Sequence, residues 1–313
     1  MQATPIGWTN FSANLLKYVD ALGKIVWACI HASEGCRFCY SEALAKRWGR
    51  GEAFTAENMK KLTPFFDTKE ADQILKSKKI TGKKVFIDDM TDLFGEWVSD
   101  EIIDQHFAIF ALRPDVTFQV LTKRAKRMRD YMQEYVAGKR RLGNALGEND
   151  NLATRLMVAQ HGYGVDTANG NGKPPYQPPK HVHLGVSIED QKQADERIAN
   201  LVKTPAAIRW VSIEPLLSDV SLRWAKWEPW KRSPGSINNQ YDGLRRLDGI
   251  VIGGESGAGH REMPLDSAVA LAKNAKEAGV AVYFKQDSGA RPGMQGRVPD
   301  DVWALKEWPT IRA

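Results

Sequence analysis

The sequence predicts an α/β chain whose strands form a partial or complete TIM-type (β/α) barrel of about six or seven parallel strands. Short apolar runs recur along the chain and end abruptly in polar residues, and segments with helical spacing separate them. The length of 313 residues suits one barrel of about 250 residues with insertions. A doubly wound parallel sheet is the structural alternative.

The apolar runs are rich in β-branched and aromatic residues. Near-continuous apolar runs of this length are typical of strands that are buried on both faces of a parallel sheet. The seven predicted strands are Lys24–Cys29, Lys84–Asp89, Thr117–Lys123, His183–Glu189, Ile208–Glu214, Gly249–Glu255 and Ala281–Gln286.

Apolar residues at helical spacing predict helices between these strands. The clearest is Ser99–Leu112, which opens with Ser99 and Asp100 as a cap and places its apolar residues largely on one face. The other predicted helices are Ser41–Trp48, Ile188–Val202 and Asp266–Ala278. Strands that alternate with helices favour right-handed βαβ units.

We predict a single barrel domain over residues 1–313 with two insertions. The first, residues 138–180, begins with basic Lys139–Arg141 and continues rich in Gly, Asn and Pro, which is typical of a loop. The second, residues 223–243, spaces three tryptophans three residues apart among basic residues. This spacing favours a helix face packed on the barrel over a base-stacking surface.

Composition excludes some classes of protein. With 42% hydrophobic and 26% charged residues the chain is not wholly disordered, and no apolar run approaches the roughly 20 residues that span a bilayer. The first residues lack the order of a signal peptide, so we expect a cytoplasmic protein with no membrane partner. The net charge of +6 permits a polyanionic partner without demanding one.

Polar residues follow every predicted strand. Because the carboxyl ends of barrel strands open on one face, where active sites lie, we expect these residues to form a site. The polar residues, in chain order, are Cys29, Asp88, Asp89, Asp92, Thr122, Lys123, Arg124, Ser187, Glu189, Asp190, Ser212, Glu214, Glu255, Ser256, Lys285, Gln286 and Asp287, and Gly253 and Gly254 directly precede Glu255. Two plainer interpretations stay open: individual members lie in solvated loops, or Glu214 and Glu255 pair with Lys123 or Lys285 in a buried network.

The three cysteines, Cys29, Cys36 and Cys39, lie within eleven residues. An odd, clustered set cannot form a complete disulfide framework and, in a reducing compartment, points to metal or redox chemistry. Three thiolates from one loop can hold three irons of a [4Fe–4S] cluster and leave the fourth iron open. Zinc on the cysteines plus His31 or a distant histidine is the competitor, although the sequence lacks the second ligand couple usual in structural zinc sites.

An open iron suits S-adenosylmethionine, whose amino and carboxylate groups would bind it. Transfer of one electron would then cleave the sulfonium and yield a 5′-deoxyadenosyl radical that abstracts hydrogen from a substrate. As hypotheses, acidic groups after the second strand pair with the methionine ammonium, and the other residues bind ribose, adenine or an anionic substrate. The proposed cofactor residues are Asp88, Asp89, Asp92, Ser187, Glu189, Gly253 and Gly254; the proposed catalytic or substrate residues are Lys123, Arg124, Glu214, Glu255, Lys285 and Gln286.

Eight short motifs follow one another along almost the whole chain. They are Gly7-Trp8-Thr9, Gly35-Cys36-Arg37-Phe38-Cys39-Tyr40 with Ala45-Lys46-Arg47, Asp89-Met90-Thr91-Asp92-Leu93-Phe94, Leu121-Thr122-Lys123-Arg124, Leu184-Gly185-Val186-Ser187, Ser212-Ile213-Glu214-Pro215-Leu216-Leu217, Gly253-Gly254-Glu255-Ser256-Gly257 and Phe284-Lys285-Gln286. In these motifs the sequence resembles the phage-associated three-cysteine proteins of unknown function, which group near the radical S-adenosylmethionine enzymes. The resemblance implies a partial TIM-type barrel, radical-SAM-like, with a cluster on the three cysteines, and it names no substrate. Residues 10–24 and 138–180 are expansions relative to the family pattern.

The expected function is an iron–sulfur enzyme of the radical S-adenosylmethionine type that modifies or repairs nucleic acid or a nucleotide. It would need an external electron donor, and the phage association suggests a phage-encoded partner protein and a host cytoplasm. One alternative is a non-radical barrel hydrolase or nuclease that holds divalent metal on its carboxylates. The other is a nucleic-acid-binding protein with a structural zinc or iron–sulfur site.

Overall fold

The structure is a computed structural model that describes residues 1–140, 142, 145, 177–222 and 243–311. Most of the two predicted insertions, including the three spaced tryptophans, therefore lies outside the described residues. The chain divides into two compact units, neither continuous in sequence. Unit 1 comprises Met1–His183 with Thr204–Ala207, and unit 2 comprises Leu184–Lys203 with Ile208–Ala313. The predicted single domain stays a prediction.

Unit 1 contains a mostly parallel sheet and a small antiparallel one. Its strands in chain order are β1 (Gln2–Ala3), β2 (Phe11–Ala13), β3 (Leu16–Val19), β4 (Ile25–Val26), β5 (Thr63–Phe66), β6 (Lys84–Ile87) and β7 (Thr117–Thr122). The first sheet has the order β1-β2-β6-β7, in which β2, β6 and β7 run parallel. The second has the order β4-β3-β5, and both of its pairs are antiparallel.

The helices of unit 1 follow its strands. They are α1 (Tyr40–Arg47), α2 (Ala56–Met59), α3 (Thr68–Lys76), α4 (Asp100–Leu112) and α5 (Ala125–Val136). The predicted cap of α4 is confirmed, because the Ser99 side chain accepts a hydrogen bond from the Ile102 main-chain N–H. The core lies between α4 and the sheet, where Phe110 stacks on Phe118 of β7 with ring centroids 4.5 Å apart.

The predicted strand Lys24–Cys29 is wrong. Only Ile25–Val26 is a strand, and it pairs antiparallel with β3 instead of joining the parallel sheet. The Asp20 side chain accepts hydrogen bonds from the main-chain N–H groups of Leu22 and Lys24, which closes a tight turn between β3 and β4. The first parallel strand is instead β2, whose three residues are too few to give an apolar run.

Unit 2 contains strands in the sheet order β8-β9-β10-β11. The ranges are β8 (Val182–Ile188, mostly in this unit), β9 (Ile208–Ile213), β10 (Gly249–Gly253) and β11 (Ala281–Gln286), with helices α6 (Gln191–Leu201), α7 (Leu265–Glu277) and α8 (Asp300–Trp303). Strand β10 runs parallel to both β9 and β11. Six of the seven predicted strands are thus confirmed, and the described chain is mixed α/β with mostly parallel strands.

The predicted helix ends are accurate to a residue or two, with one exception. The helix predicted over Ile188–Val202 begins only at Gln191, because β8 continues to Ile188 and the Asp190 side chain caps the helix. Among the described residues, no helix is long and apolar enough to cross a membrane.

Close packing in unit 2 leaves no space for a side chain at Gly185 of β8. A Cβ atom at this position would lie 2.4 Å from the ring of Trp210, which is fully buried and packs on Trp308. Gly185→Ala should therefore lower the free energy of unfolding by about 1–3 kcal/mol through overpacking, measured by urea denaturation. The matched control is Gly289→Ala, because a Cβ there meets no described atom within 4 Å. Equal stability of the two variants would contradict the prediction.

Candidate functional site

The cysteine loop of unit 1 joins β4 to α1. Cys29 lies shortly after β4, Cys36 ends a single turn of 3-10 helix over Glu34–Cys36, and Cys39 caps the start of α1. The Ala32 main-chain N–H donates to the Cys36 sulfur at 3.4 Å. All three cysteines are free thiols that are partly exposed to solvent.

The three thiols lie close enough together to affect one another electrostatically. Burial raises the pKa of Cys29 well above its usual range, and the neighbouring Asp92, Cys39 and Cys36 raise it further, while Arg124 opposes them. Burial also raises the pKa of Cys39, and the main-chain N–H groups at the start of α1 oppose this rise. Metal binding at these positions must therefore displace protons.

The three thiols can be compared with what zinc and a four-iron cluster each require. Among the described residues, no set of three or more His, Cys, Asp or Glu side chains is arranged to hold a metal ion. A single zinc ion requires its ligands to converge on one centre, with Zn–S distances of about 2.3 Å. In a four-iron cluster each thiolate binds a different iron, so the sulfurs stay apart. The donor set of three thiols in one short loop is of the kind that a four-iron cluster takes, one thiolate to each of three irons.

His31, the candidate fourth zinc ligand, is already engaged. Its Nε2 atom lies 2.8 Å from a carboxylate oxygen of Glu42. The other oxygen of Glu42 accepts hydrogen bonds from Lys46 at 2.7 Å and from the Phe54 main-chain N–H at 3.3 Å. Glu42 thus holds His31 within the local structure of the loop, which counts against ligation through Nε2.

Asp88, directly after β6, is buried and has a left-handed backbone conformation with φ 56°. One carboxylate oxygen accepts from the Leu16 main-chain N–H at 2.9 Å, and the other lies 2.9 Å from Nε2 of His106. Nδ1 of His106 lies 2.7 Å from the Ile102 carbonyl, which can only accept, so Nδ1 carries a proton. Both carboxylate oxygens of Asp88 thus face groups of the protein interior, and the role of Asp88 toward an ammonium group stays a prediction.

Asp89 links the end of β6 to the cysteine loop. Its main-chain carbonyl accepts hydrogen bonds from the Tyr40 hydroxyl at 2.7 Å and the Ser41 hydroxyl at 2.8 Å, both at the start of α1. Its carboxylate accepts from the Asn14 amide at 2.6 Å. Burial raises the pKa of Asp89 to about 6, with smaller contributions from Asp88 and Glu70. Asp89 is therefore the carboxylate of unit 1 that would gain most from a cationic group.

Arg124, at the end of β7, makes the second link to the loop. Its guanidinium donates to the Ile30 carbonyl at 2.6 Å, next to Cys29, and lies 3.5 Å from a carboxylate oxygen of Asp92. Asp92 also accepts from the Thr122 hydroxyl at 2.6 Å and the Lys123 main-chain N–H at 3.0 Å. Burial alone would lower the pKa of Arg124, but Asp92 and Cys29 raise it. Arg124 stays charged and holds the loop in place.

In unit 2, Ser187 and Glu189 are organised around Arg197 of α6. The Arg197 guanidinium lies 3.0 Å from a carboxylate oxygen of Glu189 and donates to the Ser187 carbonyl at 2.7 Å. The side chains of Glu189 and Arg197 are 0% and 3% exposed. Their predicted role in binding ribose stays a prediction, and the carboxylate already has a cationic partner.

The alternative in which Glu214 pairs with Lys285 is confirmed, with a separation of 2.8 Å. The Ser212 hydroxyl adds a hydrogen bond to Glu214 at 2.9 Å. Glu255 pairs with Arg261 instead of a lysine, at 2.6 Å. Burial alone would raise the pKa of Glu255, but the hydrogen bonds from Arg261 hold it below its ordinary value.

Gly253, the last residue of β10, and Gly254, directly after it, serve packing within the chain. A Cβ atom on Gly253 would lie 2.8 Å from Glu214, and one on Gly254 would lie 2.2 Å from the Ser288 main-chain nitrogen. Gln286 donates from its amide to the Gly254 carbonyl at 2.8 Å and accepts from the Gly293 N–H at 2.9 Å. The close approach at these positions is thus to the protein itself, and an approach to adenine or substrate stays a prediction.

Sequence reasoning missed the residues that neutralise or bind the predicted carboxylates. They are Asn14, His106, Arg197 and Arg261. Arg197 and Arg261 follow their partners by eight and six residues, a separation with no recognisable motif, and Asn14 and His106 belong to other elements of unit 1. Only the polar pair Tyr40-Ser41, adjacent to Cys39, offered a local signal.

Fold and site define an α/β protein with a three-cysteine loop at the carboxyl ends of parallel strands. The chain belongs to the family described as "Protein of unknown function (DUF5131)", which matches residues 14–300. No curated protein matches the chain.

A solved structure with some likeness is the endo-beta-1,4-mannanase from Thermotoga petrophila, at 14% sequence identity and a TM-score of 0.31. The match covers 71% of this chain and 58% of the mannanase chain, so it spans less than two thirds of that structure. A likeness of this size carries no argument about function.

Removal of Arg197 tests the buried pair in unit 2. Arg197→Met leaves the Glu189 carboxylate buried without its cation, so we expect the free energy of unfolding to fall by about 3–5 kcal/mol in urea denaturation. The double variant Glu189→Gln/Arg197→Met should recover much of this loss. Lys76→Met breaks an exposed pair with Asp72 and should cost at most about 0.5 kcal/mol. A loss below about 1 kcal/mol for Arg197→Met would contradict the structure.

The pKa of Asp89 predicts a pH dependence of stability. Because its folded-state pKa of about 6 exceeds the ordinary 3.8, the folded protein binds this proton more tightly and loses stability as the pH rises from about 4 to 6. Asp89→Asn cannot ionise and should be more stable than wild type by about 1–3 kcal/mol at pH 7–8, with the difference vanishing below pH 4. Urea denaturation across this range measures it, with exposed Asp72→Asn as control. A difference independent of pH would be the contrary result.

Proposed function

We propose that this protein is an iron–sulfur enzyme of the radical S-adenosylmethionine type, built on a partial TIM-type barrel. Cys29, Cys36 and Cys39 would hold a [4Fe–4S] cluster. The substrate would be nucleic acid or a nucleotide, which the enzyme modifies or repairs. The observation that carries the proposal is a loop of three mutually close thiols tied to the ends of two parallel strands.

The position of the loop supports the proposal. Tyr40 and Ser41 attach its carboxyl end to Asp89 after β6, and Arg124 after β7 attaches its middle at Ile30. Strands β6 and β7 run parallel, and the carboxyl ends of parallel strands are where α/β enzymes place their sites. The loop thus belongs to the edge at which a ligand would be bound.

When bound, the cluster would supply one electron to S-adenosylmethionine, drawn from an external electron donor. The chain's own contribution begins with Asp89. A ligand ammonium beside its carboxylate would stabilise the charged form that burial disfavours. Arg124 would keep the loop in register against β7, and the main-chain N–H groups at the start of α1 would stabilise the Cys39 thiolate.

The proposal keeps the predicted residues of unit 2 as substrate-binding or cofactor-binding groups, but their ion pairs limit what each can do. Lys285 is held by Glu214, so it would meet an anionic substrate as one half of an ion pair. Glu189 and Glu255, each held by an arginine, suit positioning more than proton transfer.

The nucleic-acid part of the proposal draws on the net charge of +6 and the basic residues Lys139–Arg141. We also propose that the protein acts in the cytoplasm, which is that of a host cell if the gene is phage-borne. A phage-encoded protein would be its partner.

The hydrolase alternative finds less support among the described residues. Divalent metal would bind Asp88, Asp89, Asp92, Glu214 and Glu255, yet three of these carboxylates already have a cationic partner in their own unit. The pairs are Asp92 with Arg124, Glu214 with Lys285 and Glu255 with Arg261, whereas Asp88 lies beside His106 and Asp89 accepts from the Asn14 amide.

Anaerobic purification tests the proposal. The wild-type protein should be brown with about four irons per chain, and Cys36→Ala should lose them. His31→Ala is the matched control in the same loop and should keep its iron, because His31 serves Glu42. After reduction with dithionite, the wild type should convert S-adenosylmethionine into 5′-deoxyadenosine. A colourless protein with zinc that His31→Ala releases would overturn the proposal.

A further inference from the structure

The exposed apolar side chains of the described residues are concentrated beside the cysteine loop. Five of the seven large ones lie between residues 22 and 48. They are Leu22, Ile25, Phe38, Tyr40 and Trp48, and the other two are Met294 and Ile311. A concentration of exposed apolar groups within a short segment is typical of an interaction surface.

The aromatic members lie among cations in the sequence. Phe38, Tyr40 and Trp48 are 45%, 49% and 55% exposed. The cations of this segment are Arg37, Lys46, Arg47 and Arg50. The acidic residue between positions 37 and 50 is Glu42, which is buried and paired with Lys46 and His31. The exposed part of the segment is therefore basic, although Glu34 and Glu52 flank it.

Helix α1 sets the dimensions of this surface. Eight residues at about 1.5 Å each span about 12 Å, and Phe38 and Trp48 lie just outside its two ends. Tyr40 and Arg47, seven residues apart, share the face opposite the buried Ser41 and Ala45. We name the set Arg37, Phe38, Tyr40, Arg47 and Trp48 the aromatic–basic strip. Its length corresponds to a few nucleotides of a single strand.

A cavity of about 360 Å³ begins where the strip ends. Gly49 and Gly51, directly after Trp48, line it together with the buried side chains of Val26, Phe54 and Met59. Cys29 forms part of its wall, and the lining carries two lysines, Lys24 and Lys61, and two acidic residues, Asp20 and Glu52. The volume is within the range of small-molecule sites, and the apolar floor suits a planar ring.

We infer that the aromatic–basic strip binds single-stranded nucleic acid and that the cavity receives one base of that strand. Aromatic rings stack on successive bases while arginines contact the phosphates, which is how sequence-tolerant single-strand sites work. A base turned into the cavity would lie beside Cys29, within the cysteine loop, in the manner of enzymes that act on an extruded nucleotide. The inference rests on the proposed function because it makes this base the substrate.

Strand binding tests the strip directly. Fluorescence anisotropy with a labelled 12-nucleotide single-stranded DNA at low salt should show binding that Phe38→Ala and Trp48→Ala each weaken about 5- to 100-fold. Arg47→Ala should weaken binding and reduce the salt dependence by about one counterion. The matched controls are Met294→Ala and Arg291→Ala, at exposed positions of unit 2, which should bind like wild type. Circular dichroism checks that each variant is folded.

An oligonucleotide with an abasic position tests the cavity. Ala53 lines the cavity and is partly exposed, so Ala53→Leu should narrow it and leave the strip intact. The variant should bind the intact oligonucleotide more weakly than wild type does. For the abasic oligonucleotide, which has no base to insert, the variant and wild type should have the same affinity. Equal weakening for both strands would overturn the role of the cavity.

Two results would overturn the role of the strip. One is strand binding that Phe38→Ala, Trp48→Ala and Arg47→Ala all leave unchanged. The other is loss of reduction by an acidic electron-donor protein in these variants with strand binding intact, which would assign the strip to the donor. Iron content and 5′-deoxyadenosine formation, measured on the same preparations, separate the two ideas. If the protein contains iron and the strip variants bind the strand like wild type, only this inference is wrong. If the protein contains zinc and strand binding depends on the strip, only the proposed function is wrong.

Discussion

The attachment of the cysteine loop to the strand ends is the constraint on which the site depends. The main-chain carbonyl of Asp89 accepts two hydroxyl hydrogen bonds from the first turn of α1, and Arg124 donates to the loop at Ile30. Each contact has a main-chain carbonyl as its acceptor, that of Asp89 after β6 or that of Ile30 in the loop. The contacts therefore fix the position of the backbone. The Thr91 hydroxyl, after β6, adds a further contact by donating to the Ala28 carbonyl, and these contacts matter because β4 itself pairs in the other sheet.

Charge pairing is the second organising feature. Moving a carboxylate out of water is costly unless a cation or several hydrogen bonds compensate it, and the predicted site carboxylates largely obey this rule. Arg124, Arg197, Arg261 and Lys285 each hold one of them. Asp89 departs from the pattern, because its carboxylate accepts from the Asn14 amide and its pKa rises to about 6. A strained or incompletely compensated group of this kind is typical of functional sites.

Prediction from sequence succeeded where one local rule determined the outcome. Strands such as Thr117–Thr122 are buried on both faces, so their apolar runs stand out, and Ser99 marks the start of α4 by a local hydrogen bond. It failed at Lys24–Cys29, where an apolar run belongs to a hairpin closed by Asp20. The strand that joins the parallel sheet, Phe11–Ala13, is three residues long, and only its pairing with β6 makes it a strand.

The sequence by itself determined which chemical groups the candidate site contains, three thiols and a set of polar side chains, and it determined the alternation of strands and helices. Three cysteines within one loop and polar groups at strand ends are properties of order along the chain. Only the tertiary structure decided which carboxylates are neutralised, that Glu214 pairs with Lys285, and that Gly253 and Gly254 approach Glu214 and Ser288. The physical reason is distance. Coulomb energy and steric contact depend on separation in space, and residues such as Asp88 and His106, eighteen positions apart, meet only when β6 and α4 pack together.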